Sequence, residues 1–117
     1  LHIHVLCGWE KLAALYLKGK GLEILEMNRN CPPHGEINII ARNDDEIVFV
    51  EVKTAFKTNP DLLDEKVDHN KLKKISHAIY QYQKETEQID DIRIDCISVI
   101  LQKKKPIIKH FEGIRLE

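Results

Sequence analysis

Two β-branched runs joined by a tight turn dominate the middle of this chain and constrain its fold more than any other stretch. Gly35 to Thr54 reads GEINIIARNDDEIVFVEVKT. Ile37 to Ala41 is an apolar run interrupted by Asn38, Asn43-Asp44-Asp45 supplies turn residues, and Ile47 to Val52 is a second, denser run. Ile47, Val48, Phe49 and Val50 do not alternate with polar residues, so this strand is expected to be covered on both faces. Yet it ends in Glu51-Val52-Lys53. Side chains two apart share a face, which groups Glu51 with Lys53 and, on the neighbouring strand, Glu36 with Asn38. An acid and a base leaving a buried strand opposite a polar pair point to a metal-binding and catalytic cluster. Taken alone, Glu-x-Lys is more often a simple ion pair at a strand end.

The flanking segments supply partners for that hairpin. Gly8 to Lys18 has helical spacing, with Leu12, Leu15 and Tyr16 at i, i+3, i+4, and Gly19 and Gly21 stop it. Glu10, Ala13, Ala14 and Leu17 lie along one face of the same helix. By itself Glu10 is most simply an acid in a first helical turn, favoured there by the helix dipole. Leu1 to Cys7 suits a short strand or the start of a helix equally well. Leu22 to Asn28 alternates and reads as a strand, and Arg29 to His34 is a loop by its Asn and paired prolines. Ala55 to Val67, with four acids and few apolar residues, is the best candidate for a mobile loop. Leu72, Ile75, Ile79 and Tyr82 mark an amphipathic helix from His69 to about Lys84, its other face carrying Lys71, Lys73, Lys74 and His77. Ile92 to Leu101 and Pro106 to Phe111 read as strands around the basic turn Gln102 to Lys105. The order is α-β-β-β-α-β-β, without repeats or linkers, so residues 1–117 are expected to form a single domain.

Charge matters because a nucleic-acid ligand would demand it. Eighteen Lys and Arg stand against 19 Asp and Glu, a formal charge of −1, so any such binding must come from a local patch rather than a basic coat. No apolar run is long enough to cross a bilayer and no signal-peptide pattern is present, which predicts a cytoplasmic protein without membrane contacts. Cys7, Cys31 and Cys96 are odd in number and widely spaced, and reduced thiols are expected. His2, His4, Cys7, Cys31 and His34 can be sketched into a zinc site, but no second ligand pair stands at finger-like spacing.

Glu10 with Ala13, Tyr16-Leu17 and Gly21 resembles the GExxAxxYLxxxG opening of the bacterial YraN family. Cys31 followed by Gly35-Glu36-Ile37 and Ile39-Ile40-Ala41 is similar to that family's C-x-x-x-GEIDLIA, and Val48 to Thr54 to its LVFVEVKT. Val67, Lys71, Arg93, Asp95, Val99 and His110 continue the resemblance in order, from about Gly8 to Phe111. The family is in turn similar to the PD-(D/E)XK nucleases, archaeal Holliday-junction resolvases above all. The resemblance implies an α/β, restriction-endonuclease-like fold with a mixed central sheet flanked by helices. It also implies an active site joining a Glu of the first helix, the Asp of GEID, and the Glu and Lys of EVK. Here the GEID aspartate is Asn38, and Trp9 stands where the family has a glycine.

On that basis the candidate catalytic residues are Glu10, Glu36, Asn38, Glu51 and Lys53, with Glu51, Asn38 and Glu10 as ligands to Mg²⁺ or Mn²⁺. Lys53 would orient water and stabilise charge on phosphate, and Glu36 is the candidate replacement for the missing carboxylate. An amide lacks the formal charge that such ions favour, so weak binding is expected. Two functions follow: a metal-dependent nuclease acting on branched or structured DNA, or an inactive nucleic-acid- or protein-binding module on the same fold. Lys71, Lys73 and Lys74 are the candidate phosphate contacts, while Lys103 to Lys105 reads more simply as a solvated turn. Junction resolution would suit a homodimer.

Overall fold

The computed structural model describes residues 2–56 and 69–115. Seven elements follow the expected order: α1 (His2–Gly19), β1 (Glu23–Asn30), β2 (Glu36–Asn43), β3 (Glu46–Phe56), α2 (His69–Thr86), β4 (Asp91–Leu101) and β5 (Ile107–Phe111). The undecided segment after Leu1 is helical from His2. The strand at Ile47 runs on to Phe56, beyond its expected end, and the rest of the expected loop, residues 57–67, lies outside the described residues.

The strands form one sheet in the order β1-β2-β3-β4-β5. β3 and β4 pair in parallel and every other neighbour is antiparallel. Asp44 turns the β2–β3 hairpin with a φ of 56°, a left-handed conformation that Asp tolerates better than most residues. A parallel pair cannot be closed by a hairpin, and α2 provides the crossover. α2 therefore starts at the end of the sheet where β3 finishes. The turn after β4 lies at that same end.

Each helix covers one face. Ala13, Ala14 and Leu17 of α1 pack with Ile39, Ala41, Val48, Val50, Ile97 and Val99. On the other face Ala78, Ile79 and Tyr82 of α2 pack with Ile37, Ile40, Ile47, Phe49 and Ile94, and with Cys31. β3 is thus buried on both faces, as its unbroken apolar run predicts. β4 is as well, although its sequence alternates only weakly: it is a central strand beneath both helices. The expected Leu12, Leu15, Tyr16 stripe needs correction. Leu15 is 62% exposed, and the buried stripe is the Ala13, Ala14, Leu17 face, where small side chains let the helix approach the sheet.

α1 ends in a paired hydrogen-bond motif, with Leu22 N–H donating to the Leu17 carbonyl at 3.1 Å and Gly21 N–H to that of Lys18 at 2.9 Å. Gly21 takes the left-handed φ of 96° that this ending requires, and buried Leu22 seals it. Among the described residues no helix is long and apolar enough to cross a membrane. Cys31 and Cys96 are buried and take no part in a disulfide.

Candidate functional site at the fork between strands two and three

The hairpin strands part company at one point. β2 and β3 pair from Asn43↔Glu46 as far as Ile39↔Val50. Beyond that, β2 continues against β1 through Arg29↔Ile37 and Asn30↔Glu36, while β3 continues against β4 from Glu51↔Cys96 to Phe56↔Leu101. The sheet therefore forks, and Asn38 bridges the fork. Its side-chain oxygen accepts the Val52 N–H at 2.8 Å, replacing a ladder hydrogen bond with a side chain. Its alternation slips at the same place: Ile37 and Ile40 both pack on the α2 side, with Ile39 on the α1 side.

With the oxygen so engaged, the Asn38 amide nitrogen is aimed away from β3, and it donates to Glu10 Oε2 at 2.9 Å. Asn28 stands opposite Asn38 between the pairs Met27↔Ile39 and Arg29↔Ile37. Its φ of 55° is left-handed, an unusual state in a strand that Asn adopts more readily than β-branched residues. Its amide donates to Glu10 Oε1 at 2.7 Å and to Glu36 Oε1 at 3.0 Å. Both oxygens of Glu10 are thus held by side-chain amides, and three of the five expected residues (Glu10, Glu36 and Asn38) come together through Asn28. Asn28 was not among the expected site residues: the sequence reads as a strand ending there and a loop starting at Arg29, whereas β1 runs on to Asn30 and leaves Asn28 inside it.

Glu51 and Lys53 leave β3 on the side of Ile47 and Phe49, the side covered by α2. Glu51, whose side chain is 13% exposed, forms a 2.6 Å ion pair with Lys71 of α2. Lys71, expected to contact phosphate, therefore neutralises the main expected metal ligand. Lys73 and Lys74 are exposed. The expected cluster is laid out as an α1-side group and an α2-side group, joined at the fork by the hydrogen bond from Val52, the residue between Glu51 and Lys53.

This donor set does not fit Mg²⁺ or Mn²⁺. Such ions need several converging oxygens. Here the Asn38 oxygen is taken by backbone, two N–H₂ groups face Glu10, and Glu51 is paired. Among the described residues no group of three or more His, Cys, Asp or Glu could hold a metal ion. The zinc sketch fares no better: Cys31 is core, and His34 stacks on His77 at 5.2 Å.

A second polar constellation lies on the α1 face. Asp95, fully buried, receives Arg93 through Nε at 2.8 Å and Nη2 at 2.9 Å, His110 Nε2 at 2.7 Å and the Gly113 N–H at 3.0 Å. An ionised carboxylate only accepts, so His110 donates from Nε2, and its Nδ1 lies 3.1 Å from the Tyr16 hydroxyl. Burial pushes the Asp95 carboxyl upward, but Arg93, the Gly113 N–H and His110 outweigh it and hold it below its usual range. The Arg93 guanidinium is correspondingly raised by its hydrogen bonds to Asp95. This network ties α1, β4, β5 and the segment after β5 together.

The sequence pattern of the Uncharacterised protein family UPF0102 matches residues 9–99. A UPF0102 protein of Syntrophomonas wolfei is 37% identical over 102 residues, covering 86% of this chain and 88% of its own. One from Caldanaerobacter subterraneus is 43% identical over 98 residues, covering 82% and 79%. One from Thermotoga petrophila is 37% identical over 107 residues, covering 92% and 93%.

Proposed function

The chain belongs to the UPF0102 family, and from that premise and the geometry of the fork we propose that it is a nuclease-fold protein that grips the phosphate backbone of structured DNA. The observation that carries this reading is where the topology puts its lysines. Lys53 stands in the last third of β3, opposite Ser98; Lys71, Lys73 and Lys74 lie in the first two turns of α2; and Lys103 to Lys105 form the exposed turn after β4. Lys103 to Lys105 lie beyond the carboxyl end of β4, where α/β folds commonly place ligands, while Lys53 and Lys71 flank Glu51 within the half of the parallel pair that leads there. In a chain of net charge −1, the exposed Lys73, Lys74 and Lys103 to Lys105 support a reading as local phosphate contacts, with Lys71 already paired to Glu51. The α2 lysines and the β4–β5 turn offer no base-reading apparatus, so recognition is of backbone shape.

A second reading, phosphodiester hydrolysis at the same fork, is favoured by Glu51 itself. It is a mostly buried carboxylate held by a half-exposed lysine. A phosphate drawing Lys71 away would free Glu51 beside Lys53. Branched, single-stranded and duplex DNA incubated with Mg²⁺ or with Mn²⁺ separates the two. Under hydrolysis the wild type cuts and Glu51→Ala does not, whereas under binding alone neither cuts.

The binding reading has its own test. The Lys73→Glu/Lys74→Glu double variant should bind branched DNA more weakly, and the slope of log affinity against log salt should fall by about 2, since each phosphate contact contributes about 0.9. An unchanged slope and affinity would remove this face from consideration.

A further inference from the structure

We propose that in this chain the Asn28 and Asn38 amides do the work of a divalent cation, holding Glu10 at the fork by hydrogen bonds alone, and that Asn38→Asp converts the clamp into a cation site. The inference rests on the fork being the functional site, but not on DNA being its ligand.

The argument starts from orientation. An asparagine side chain has one accepting end and one donating end, and either could face Glu10. The Val52 N–H settles which. It has lost its β2 ladder partner at the fork, it must be satisfied, and the Asn38 oxygen lies 2.8 Å from it. The end left facing Glu10 is therefore N–H₂, at 2.9 Å from Oε2. Rotating the amide to offer an oxygen to a cation would oppose nitrogen to the Val52 N–H. Asn28 closes the other oxygen at 2.7 Å and reaches Glu36 with the same nitrogen. The three amide hydrogen bonds to Glu10 and Glu36 end on carboxylate oxygens, the stronger class of acceptor. No positive ion is needed to keep Glu10 in place.

An aspartate at position 38 reverses the requirement. One carboxylate oxygen can still accept the Val52 N–H. The other then meets Glu10 Oε2 at about the separation the amide now spans, and two carboxylate oxygens so close need a proton or a cation between them. Glu36, joined to the same cluster through Asn28, stands one hydrogen bond away as a further oxygen donor.

The experiment uses the whole protein and Mn²⁺ alone, followed by loss of the free-ion electron paramagnetic resonance signal, with thermal melting in chelator and in Mn²⁺ alongside. The wild type and Glu10→Gln should bind Mn²⁺ equally poorly. Asn38→Asp should gain one saturable site, tighter by about tenfold or more, and should lose it again in Asn38→Asp/Glu10→Gln. It should also melt lower than the wild type in chelator and recover in Mn²⁺. Stoichiometric binding by the wild type that disappears in Glu10→Gln overturns the proposal, as does a folded Asn38→Asp that binds no tighter than the wild type. If Asn38→Asp folds only with Mn²⁺, the proposal stands. If it folds under neither condition, the wild type against Glu10→Gln decides: equal weak binding supports the clamp, and selective loss refutes it. DNA binding measured in chelator reports separately on the proposed function, so either result can fail without the other.

Discussion

Asp95→Ala is expected to remove about 3 to 5 kcal/mol of unfolding free energy, the usual cost of stripping one partner from a buried charge pair. Asp95 is wholly inaccessible, and its two oxygens take the fork of Arg93, the His110 ring and the Gly113 N–H. Removing the carboxylate leaves a guanidinium on a side chain only 18% exposed with its best acceptor gone. Arg93 retains Glu46 at 3.4 Å and Glu112 at 3.9 Å, both longer than either bond to Asp95. Domains of this size are stable by only about 5 to 15 kcal/mol, so the loss is a large share of the total. Urea denaturation measures it. Asp90→Ala is the control: its 3.4 Å pair with Arg42 joins two exposed side chains outside the network and should be worth about 0.5 kcal/mol or less. Equal, small losses from both variants would show that the buried network is not a structural tie.

The same carboxylate sets a pH window. Its folded value lies below the ordinary 3.8, so the unfolded chain takes up the proton first. Its contribution is therefore complete above pH 3.8 and is lost as pH falls through the lower folded value. The stability difference between wild type and Asp95→Asn should stay constant from neutrality to about pH 5 and shrink only in stronger acid. The other titratable groups facing it are His110 and, around Arg93, Glu46 and Glu112; because the His110 ring bonds Asp95 directly, the comparison is made in a His110→Gln background, which removes that coupled titration.

The fold was legible because its strongest signals are local. The Ile47 to Val50 run announces a strand buried twice over, and the spacing of Leu72, Ile75, Ile79 and Tyr82 announces α2. The site was legible in part. Glu10 and Asn38 stand out by type and place, and they do meet. Asn28 does not stand out, because its left-handed backbone is a product of two strands turning together at the fork, which no window along one strand contains. Leu15 misled because helical spacing gives two adjacent stripes and only the sheet chooses between them. The Lys103 to Lys105 turn is exposed, as its sequence predicts, and the parallel pairing of β3 with β4 puts it past the carboxyl end of that pair, a placement no local window contains. Asp95 reads as one acid in a strand until β5 and the following turn bring His110 and Gly113 to it.

That β3 carries both the core and the site leads to the second large effect. Phe49→Ala should cost about 3 to 5 kcal/mol. Phe49 is 1% exposed and meets Tyr82 of α2 edge to face at 5.6 Å, a contact that no smaller side chain reproduces. Val50 is as deeply buried but belongs to the α1-side core, and Val50→Ala should cost about 2 kcal/mol for its lost methyl groups and the space they leave. The two residues are consecutive, yet the sheet separates their partners: Ala78, Ile79 and Tyr82 on one side, Ala13, Ala14 and Leu17 on the other. With their side chains on opposite faces, the double variant should lose roughly the sum of the two, any departure reporting coupling through the backbone they share, measured by urea denaturation of whichever backgrounds remain folded, or in a stabilising osmolyte if the double variant is too weak. A clear excess or shortfall would mean that the two faces relax together. In that case the α1-side clamp on Glu10 and the α2-side pair of Glu51 with Lys71 could not be perturbed independently, and substitutions at one would be felt at the other.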